Sequence, residues 1–337
     1  MLLVKTNKND AGQRLDKFLA KLLNQAPKSF IYKMLRKKNI TLNGKKATGN
    51  ELLGLGDEIK LFLSDETISK FQNAKKVNYP TTNLSIIYED EDVIFLNKPA
   101  GMLSQKSDDG NPSMVEYLIG YLLKNGKIEE KDLERFHPSV CNRLDRNTSG
   151  LIAAGKSLSG LQFLSDQFKN RTMKKYYLAL VKGKITETNN IQGVLVKDIK
   201  TNKVSINKIS NLNDFQRKDG FIMTGYEPVC GNEEMTLLKV HLITGKTHQI
   251  RAHLASIGHP IAGDPKYGNN QFNKYFSQKY GLKYQLLHSY ELYFPKESLV
   301  EPYKYLEGKE IKAQLPDYFK RIIKEEGIGE RIYENTR

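Results

Sequence analysis

Cysteine is nearly absent: Cys141 and Cys230 are the only two among 337 residues. They form no CxxC pair, cannot build a zinc site by themselves, and indicate neither a disulfide framework nor a secreted setting. Long apolar runs are missing as well. Met1-Leu2-Leu3-Val4 is broken by Lys5, so no signal-peptide core forms. No apolar stretch approaches the roughly 18 residues that a membrane helix needs. Internal repeats and low-complexity tracts are also lacking. These absences predict a cytoplasmic chain with no membrane contact.

Acidic residues are in the minority, 38 against 53 Lys and Arg, for a net charge of +15. That excess favours a polyanionic partner, because each cation that meets a phosphate releases condensed counterions. Solubility alone is the plainer reading, and charge says nothing of fold. With 39% hydrophobic and 27% charged residues a packed core is feasible. The length allows one large domain and a small one.

Residues 1–65 read as a compact basic unit, with thirteen Lys/Arg against six Asp/Glu. Leu15, Phe18, Leu19, Leu22 and Leu23 recur at helical spacing. Pro27 fits the first turn of a second helix, running to about Lys37, with Phe30, Ile31, Met34 and Leu35 as its apolar face. Ile40 and Leu42 before Asn43-Gly44 predict a strand entering a tight hairpin, and Ile59, Leu61 and Leu63 a closing strand. Residues 66–83 lose periodicity and read as a linker.

Residues 84–337 mix short strands with a few helices. Val93 to Leu96, Tyr176 to Val181 and Leu237 to Leu242 read as strands, and Met114 to Leu123 as a helix. Thr247 to Ile257 reads as a helix because Ile250, Leu254 and Ile257 share a face. The expected class is α+β rather than regular βαβ winding.

Cys141-Asn142-Arg143-Leu144-Asp145-Arg146-Asn147-Thr148-Ser149-Gly150 sets one carboxylate among guanidinium groups. Such neighbours would hold Asp145 ionised, as a nucleophile or base must be. The alternative is a surface Asp in a local ion pair. Three further strings follow the same order along the chain: Asn97-Lys98-Pro99-Ala100-Gly101, Lys175-Tyr176-Tyr177-Leu178-Ala179-Leu180-Val181-Lys182-Gly183 and Thr244-Gly245-Lys246-Thr247-His248-Gln249-Ile250-Arg251-Ala252-His253. Gly263-Asp264-Pro265-Lys266-Tyr267-Gly268 and Leu287-His288-Ser289 complete the set.

Together these resemble the RluA family of RNA pseudouridine synthases over about residues 84–295. Asn142 stands where that pattern often has His, and Lys246 where it has Arg. Residues 11–65, through Arg14-Leu15-Asp16-Lys17-Phe18-Leu19 and the Asn43-Gly44-Lys45 turn, resemble the S4-like RNA-binding domain. The resemblance implies a small S4-like α/β domain followed by a catalytic domain on a mixed, largely antiparallel sheet. It implies Asp145 as catalytic carboxylate, Tyr177 as active-site tyrosine and Arg251 as the arginine partner of the aspartate. It implies an RNA partner, with large-subunit ribosomal RNA favoured over tRNA; no cofactor is expected because the reaction is redox-neutral, and no metal because no His or Cys spacing suits one. The expected RNA contacts are Arg14, Lys17, Lys28, Lys33, Arg36, Lys37, Lys38, Lys45 and Lys46 in the small unit, and Arg143, Arg146, Lys246 and His248 in the large one.

Pseudouridine formation breaks the N1–C1′ bond, turns the base and joins C5 to C1′, without redox change. An anionic carboxylate can stabilise or trap positive charge at C1′, or act as a base at C2′; the sequence leaves both open. Tyr177 would offer the base a flat surface and a hydroxyl to assist at C5, and the uridine would have to flip out of its stack. Two other functions compete. A non-catalytic RNA-binding factor would share the fold. Gly150-Leu151-Ile152-Ala153-Ala154-Gly155-Lys156-Ser157 satisfies G-x-x-x-x-G-K-S, although its apolar interior reads as a strand rather than a phosphate loop. His248 and His253, five residues apart on a helix, do not share a face and make a poor zinc pair; His248 is expected to make a structural hydrogen bond near Arg251.

Overall fold

The computed structural model describes residues 1–72, 78–107, 110–197, 204–207 and 220–328. The N-terminal unit runs β1 (Leu2–Lys5), α1 (Leu15–Leu22), α2 (Lys28–Arg36), β2 (Ile40–Leu42), β3 (Lys45–Lys46), β4 (Glu58–Leu61) and α3 (Asp65–Phe71). Its four strands lie in the order β1-β4-β2-β3, all antiparallel. The β2–β3 hairpin turns on Asn43 (φ 50°) and Gly44 (φ 73°), both left-handed, as an Asn-Gly turn requires. One face of α1 (Leu15, Phe18, Leu19, Leu22) and of α2 (Ile31, Met34, Leu35) packs on Ile40, Ile59 and Leu61 of the sheet. Pro27 caps α2 from just outside its first turn.

Where a linker was expected, α3 forms. Ser64 caps it by accepting from Thr67 N at 3.2 Å, and Asp65 and Glu66 favour its positive N-terminal end. Ile68 and Phe71 pack back onto the N-terminal core.

The larger unit contains β5 (Ile86–Glu89), β6 (Val93–Lys98), α4 (Met114–Lys124), α5 (Glu130–Leu133), β7 (Ser139–Val140), β8 (Ser149–Gly155), α6 (Leu158–Lys169) and β9 (Lys174–Lys182). It continues with β10 (Asn189–Lys197), β11 (Val204–Asn207), β12 (Phe221–Gly231), β13 (Met235–Leu242), α7 (Gln249–Ser256), α8 (Asn270–Tyr280), β14 (Leu287–Tyr293), β15 (Glu310–Lys312) and α9 (Asp317–Glu325). The strand order is β11-β10-β12-β13-β9-β14-β8-β6-β5, with β15 on β14 and β7 on β8. Only the β14–β8 contact is parallel among the described strands. The α+β class with a mixed, largely antiparallel sheet is therefore what the chain adopts.

Alternation along the strands feeds two cores. Ile94, Leu96, Ile152, Ala154, Ala179, Val181, Leu238 and Val240 face α4 and α7. Val93, Phe95, Leu151 and Ala153 face α6 (Leu164), while Leu178, Leu180 and Leu237 face α8 and α9. The helix expected from Thr247 begins at Gln249, because His248 is left-handed (φ 55°) and breaks the turn before it. No helix among the described residues is long and apolar enough to cross a membrane.

Candidate active site

Asp145 sits in the loop between β7 and β8, and that loop is tied at every side. Asn142 Nδ2 donates to Leu151 O at 3.1 Å, and its Oδ1 accepts from Ala153 N at 2.8 Å. An asparagine thus makes two backbone bonds to β8 where the family pattern often has histidine. Ser104 Oγ donates to Leu144 O (2.9 Å) and accepts from Leu144 N (3.0 Å). Thr148 N closes a turn on Asp145 O at 3.0 Å, and Thr148 Oγ1 accepts from Gln285 Nε2 at 2.8 Å. Ser149 Oγ pairs with His288 Nδ1 at 2.9 Å. Gly150 (φ 112°) lies so near β14 that a methyl there would stand 2.2 Å from Ser289 O. That close approach explains the glycine.

Lys98 supports the loop from below. It is fully buried, and its ammonium donates to the carbonyls of Pro99 (3.0 Å), Met102 (2.8 Å) and Arg146 (3.1 Å). Burial pulls its pKa down to about 7, while the Asp145 charge works the other way.

Arg251, on α7, bridges two carboxylates. Nη1 donates to Asp145 Oδ2 at 2.7 Å; Nε and Nη2 donate to Asp264 Oδ2 and Oδ1 at 2.7 and 2.9 Å. The planar guanidinium is suited to this forked geometry. Burial opposes the Arg251 charge, but Asp264 and Asp145 outweigh it and raise its pKa. Burial likewise opposes the Asp264 charge. Arg251 and the amides of Lys266 and Tyr267 nevertheless hold that carboxyl below the usual range.

His248 Nδ1 pairs with the Tyr267 hydroxyl at 3.0 Å, and Nε2 lies 3.8 Å from Asp145 Oδ2. Its expected structural hydrogen bond beside Arg251 is present. Burial, opposed by Asp145, lowers its pKa, so near neutrality it is an uncharged ring.

Tyr177 comes from β9 and is buried, its hydroxyl bonded to Ser289. Burial pushes its pKa up to about 12; Ser289 lowers it and the Asp145 charge raises it. The side chain therefore meets a ligand as a neutral phenol. Asp145, Tyr177 and Arg251 line one cavity of about 810 Å³, floored by Leu242, Ile250 and Leu287.

The structure sorts the expected RNA contacts into three groups. Arg143, Lys246 and His248 line the cavity with Asp145. Arg146 lines a neighbouring hollow, its Nε donating to Gly101 O at 3.2 Å. The guanidinium that meets Asp145 thus comes from 106 residues away, while Arg143 and Arg146, its neighbours in sequence, are largely exposed. None of the nine N-terminal residues reaches the lining. Arg14 pairs with Asp16 at 3.0 Å; Lys17, Lys28, Lys33, Arg36, Lys37, Lys38, Lys45 and Lys46 are exposed and form no ion pair with a described residue. Sequence reasoning gave no role to Lys98, Asp264 or Ser289, although all three lie in strings it singled out.

Gly150 to Gly155 belong to strand β8, and Lys156 is paired with Glu89 at 2.6 Å, so the eight-residue phosphate-loop string is no loop. His253 Nδ1 bonds Thr224 Oγ1 at 2.7 Å, buried and away from His248's partners. No group of three or more His, Cys, Asp or Glu among the described residues could hold a metal ion.

Known proteins give the chain a family. Residues 92–256 match the family model described as RNA pseudouridylate synthase, and residues 13–59 match the S4 domain. Ribosomal large subunit pseudouridine synthase C of Vibrio vulnificus is 31% identical over 329 residues, covering 95% of each chain. Its counterpart in Rickettsia bellii is 34% identical, covering 92% of this chain and 97% of that one. In fold, human RNA pseudouridylate synthase domain containing 4 superposes with a TM-score of 0.58 at 19% identity, over 73% of this chain and 94% of the other.

Proposed function

We propose that this chain, which belongs to the RNA pseudouridylate synthase family, isomerises uridine to pseudouridine with Asp145 as its reacting carboxylate. The observation that carries the assignment is the Asp145 carboxylate, 2.7 Å from Arg251 in a cavity that Tyr177 also lines. The reaction conserves atoms and electrons, so it calls for no cofactor. Arg251 fixes one oxygen of Asp145 and leaves the other for the sugar, where a carboxylate can bond to C1′ or accept the proton of C2′. Tyr177 supports the base. Its phenol keeps its proton at neutral pH, so it serves the base as a flat face and a hydrogen-bonding group rather than as the base that removes the C5 proton.

The relatives named for the large ribosomal subunit favour large-subunit ribosomal RNA as the substrate, and with it a cytoplasmic setting. The unit of residues 1–65, lengthened by α3, presents the basic surface that holds this RNA, and residues 84–337 carry the chemistry.

The test is incubation of wild type and Asp145→Asn with large-subunit ribosomal RNA, followed by mapping of pseudouridine. The variant should yield no product while binding RNA within about twofold of wild type, since a charged contact to RNA is not what it removes. Product that persists in the variant sinks the assignment.

A further inference from the structure

The Asp145 cavity is lopsided in charge. Among the described residues Asp145 is its one acidic lining residue, already held by Arg251. Another stretch of the wall carries Lys169 from the end of α6, Arg171 from the turn after it and Lys175 from the start of β9. None of these three side chains makes an ion pair or hydrogen bond with a described residue.

Lys175 is half-buried, and burial, then the Arg171 charge, lower its pKa. A cation in that setting is costly unless an anion joins it. Its ammonium lies against the loop that carries Lys246: a methyl built on Gly245 would sit 3.7 Å from Lys175 Nζ. Lys246, exposed and with no ion pair to a described residue, lines the same space.

Arg171 adds a second, independent sign. It follows Asn170, the C-cap of α6, with φ 58°, and its N–H donates to Phe168 O at 3.3 Å. Glycine is the usual residue at such a left-handed helix end. An arginine stands there instead, and its side chain reaches the cavity wall. The cavity's 810 Å³ is toward the upper end of the range for small-molecule sites, roomy enough for a nucleotide's phosphate as well as its base.

We propose that Lys175, with Arg171 and Lys169, forms a phosphodiester-binding site that grips the RNA backbone beside the uridine presented to Asp145. The proposal rests on the reading of this cavity as the uridine site. Lys175 is the central ligand, because it is the least hydrated of the three and lies against the Gly245 loop. Arg171 and Lys169 guide the chain toward it from the rim.

Binding of in vitro-transcribed large-subunit ribosomal RNA, measured against salt in the Asp145→Asn background, tests the site without involving turnover. Lys175→Gln should weaken binding at low salt by about tenfold or more, the loss expected for one charge-assisted contact. It should also lower the slope of log affinity against log salt by about 0.7–0.9, one phosphate's worth of counterions. Its thermal midpoint should equal or exceed that of the parent, because an unpaired half-buried charge has been removed; a purely structural lysine would lower it. Lys175→Arg should restore the slope. An unchanged slope in Lys175→Gln overturns the site and leaves the Asp145 assignment standing. Product formed by Asp145→Asn itself overturns the assignment and leaves the measured slope intact.

Discussion

Lys37, Lys45 and Lys46 stand in water with no described carboxylate in ion-pair reach, whereas Arg251 is only 7% exposed and holds two. The N-terminal unit and the cleft thus use positive charge differently. Exposed lysines act by number: each adds a similar increment through counterion release, and none needs exact placement. Arg251 acts by geometry. Its fork fixes Asp145 on one side and is itself fixed by Asp264 on the other, so its loss cannot be spread over neighbours. The first arrangement suits holding a long polyanion, the second the aiming of one oxygen.

The largest effect is expected where charge is buried. Arg251→Met should cost about 3–5 kcal/mol of stability, because Asp264 is left as an uncompensated buried carboxylate. Product formation should fall by about a hundredfold or more as Asp145 loses its orientation. The pH dependence should change sign. In wild type the Asp264 carboxyl is held below its ordinary value. Its contribution is therefore present above the unfolded-chain pKa of about 3.9 and is lost as pH falls through the lower folded value. In Arg251→Met the buried carboxyl loses its partner and its pKa rises, so the variant should gain stability on mild acidification from neutrality. Urea unfolding from about pH 2 to 8 reads both slopes. Parallel curves would erase the distinction between paired and counted charge.

That Asp145, Tyr177 and Arg251 would lie together was legible because each sits in a short string of the family pattern. The partners that hold them were less so. Asp264 and Lys98 appear in equally recognisable strings, but their roles depend on meeting groups 13 and 48 residues away, which local pattern does not encode. The α+β class followed from the mixture of short apolar runs and helices, and strands β2, β4, β6, β8, β9 and β13 were read from their apolar residues; the remaining strands were not. Nor was the strand order, since β14 reaches β8 and β9 from more than 100 residues along the chain. Helix α3 was missed for a simpler reason. Seven residues with Ile68 and Phe71 as its apolar pair give too little periodicity, and its stability comes from the core beneath and the Ser64 cap. Asn142 is the reverse case: its departure from the family pattern drew attention, yet it is a backbone tie that leaves Asp145 in place.

An intermediate effect is expected on the exposed side of the comparison. Replacing Lys37, Lys45 and Lys46 together by Glu should raise KM for ribosomal RNA by about tenfold or more and flatten its salt dependence. kcat should stay within about twofold, because none of the three lines the Asp145 cavity. The fold should be nearly indifferent, as expected for exposed positions outside ion pairs. Steady-state kinetics at several salt concentrations separate these outcomes. A fall in kcat with KM unchanged would place the N-terminal unit in the chemistry rather than in holding the RNA.

The smallest effect sharpens where the two regions divide. Ser64→Ala removes the side-chain acceptor for Thr67 N and should cost about 1 kcal/mol, equal to roughly a fivefold rise in local opening. Hydrogen exchange can follow that opening residue by residue. Ile68 is buried in the N-terminal core and the Phe71 ring lies 4.6 Å from that of Phe30, so α3 should loosen together with α1 and α2. Amides of β9 and β13, in the larger sheet, should exchange as before. If α3 alone loosens, the helix is a spacer between the units and the RNA-holding region ends near residue 65. If α1 and α2 follow it, the helix is the last element of that region, and the basic surface is anchored through Phe71.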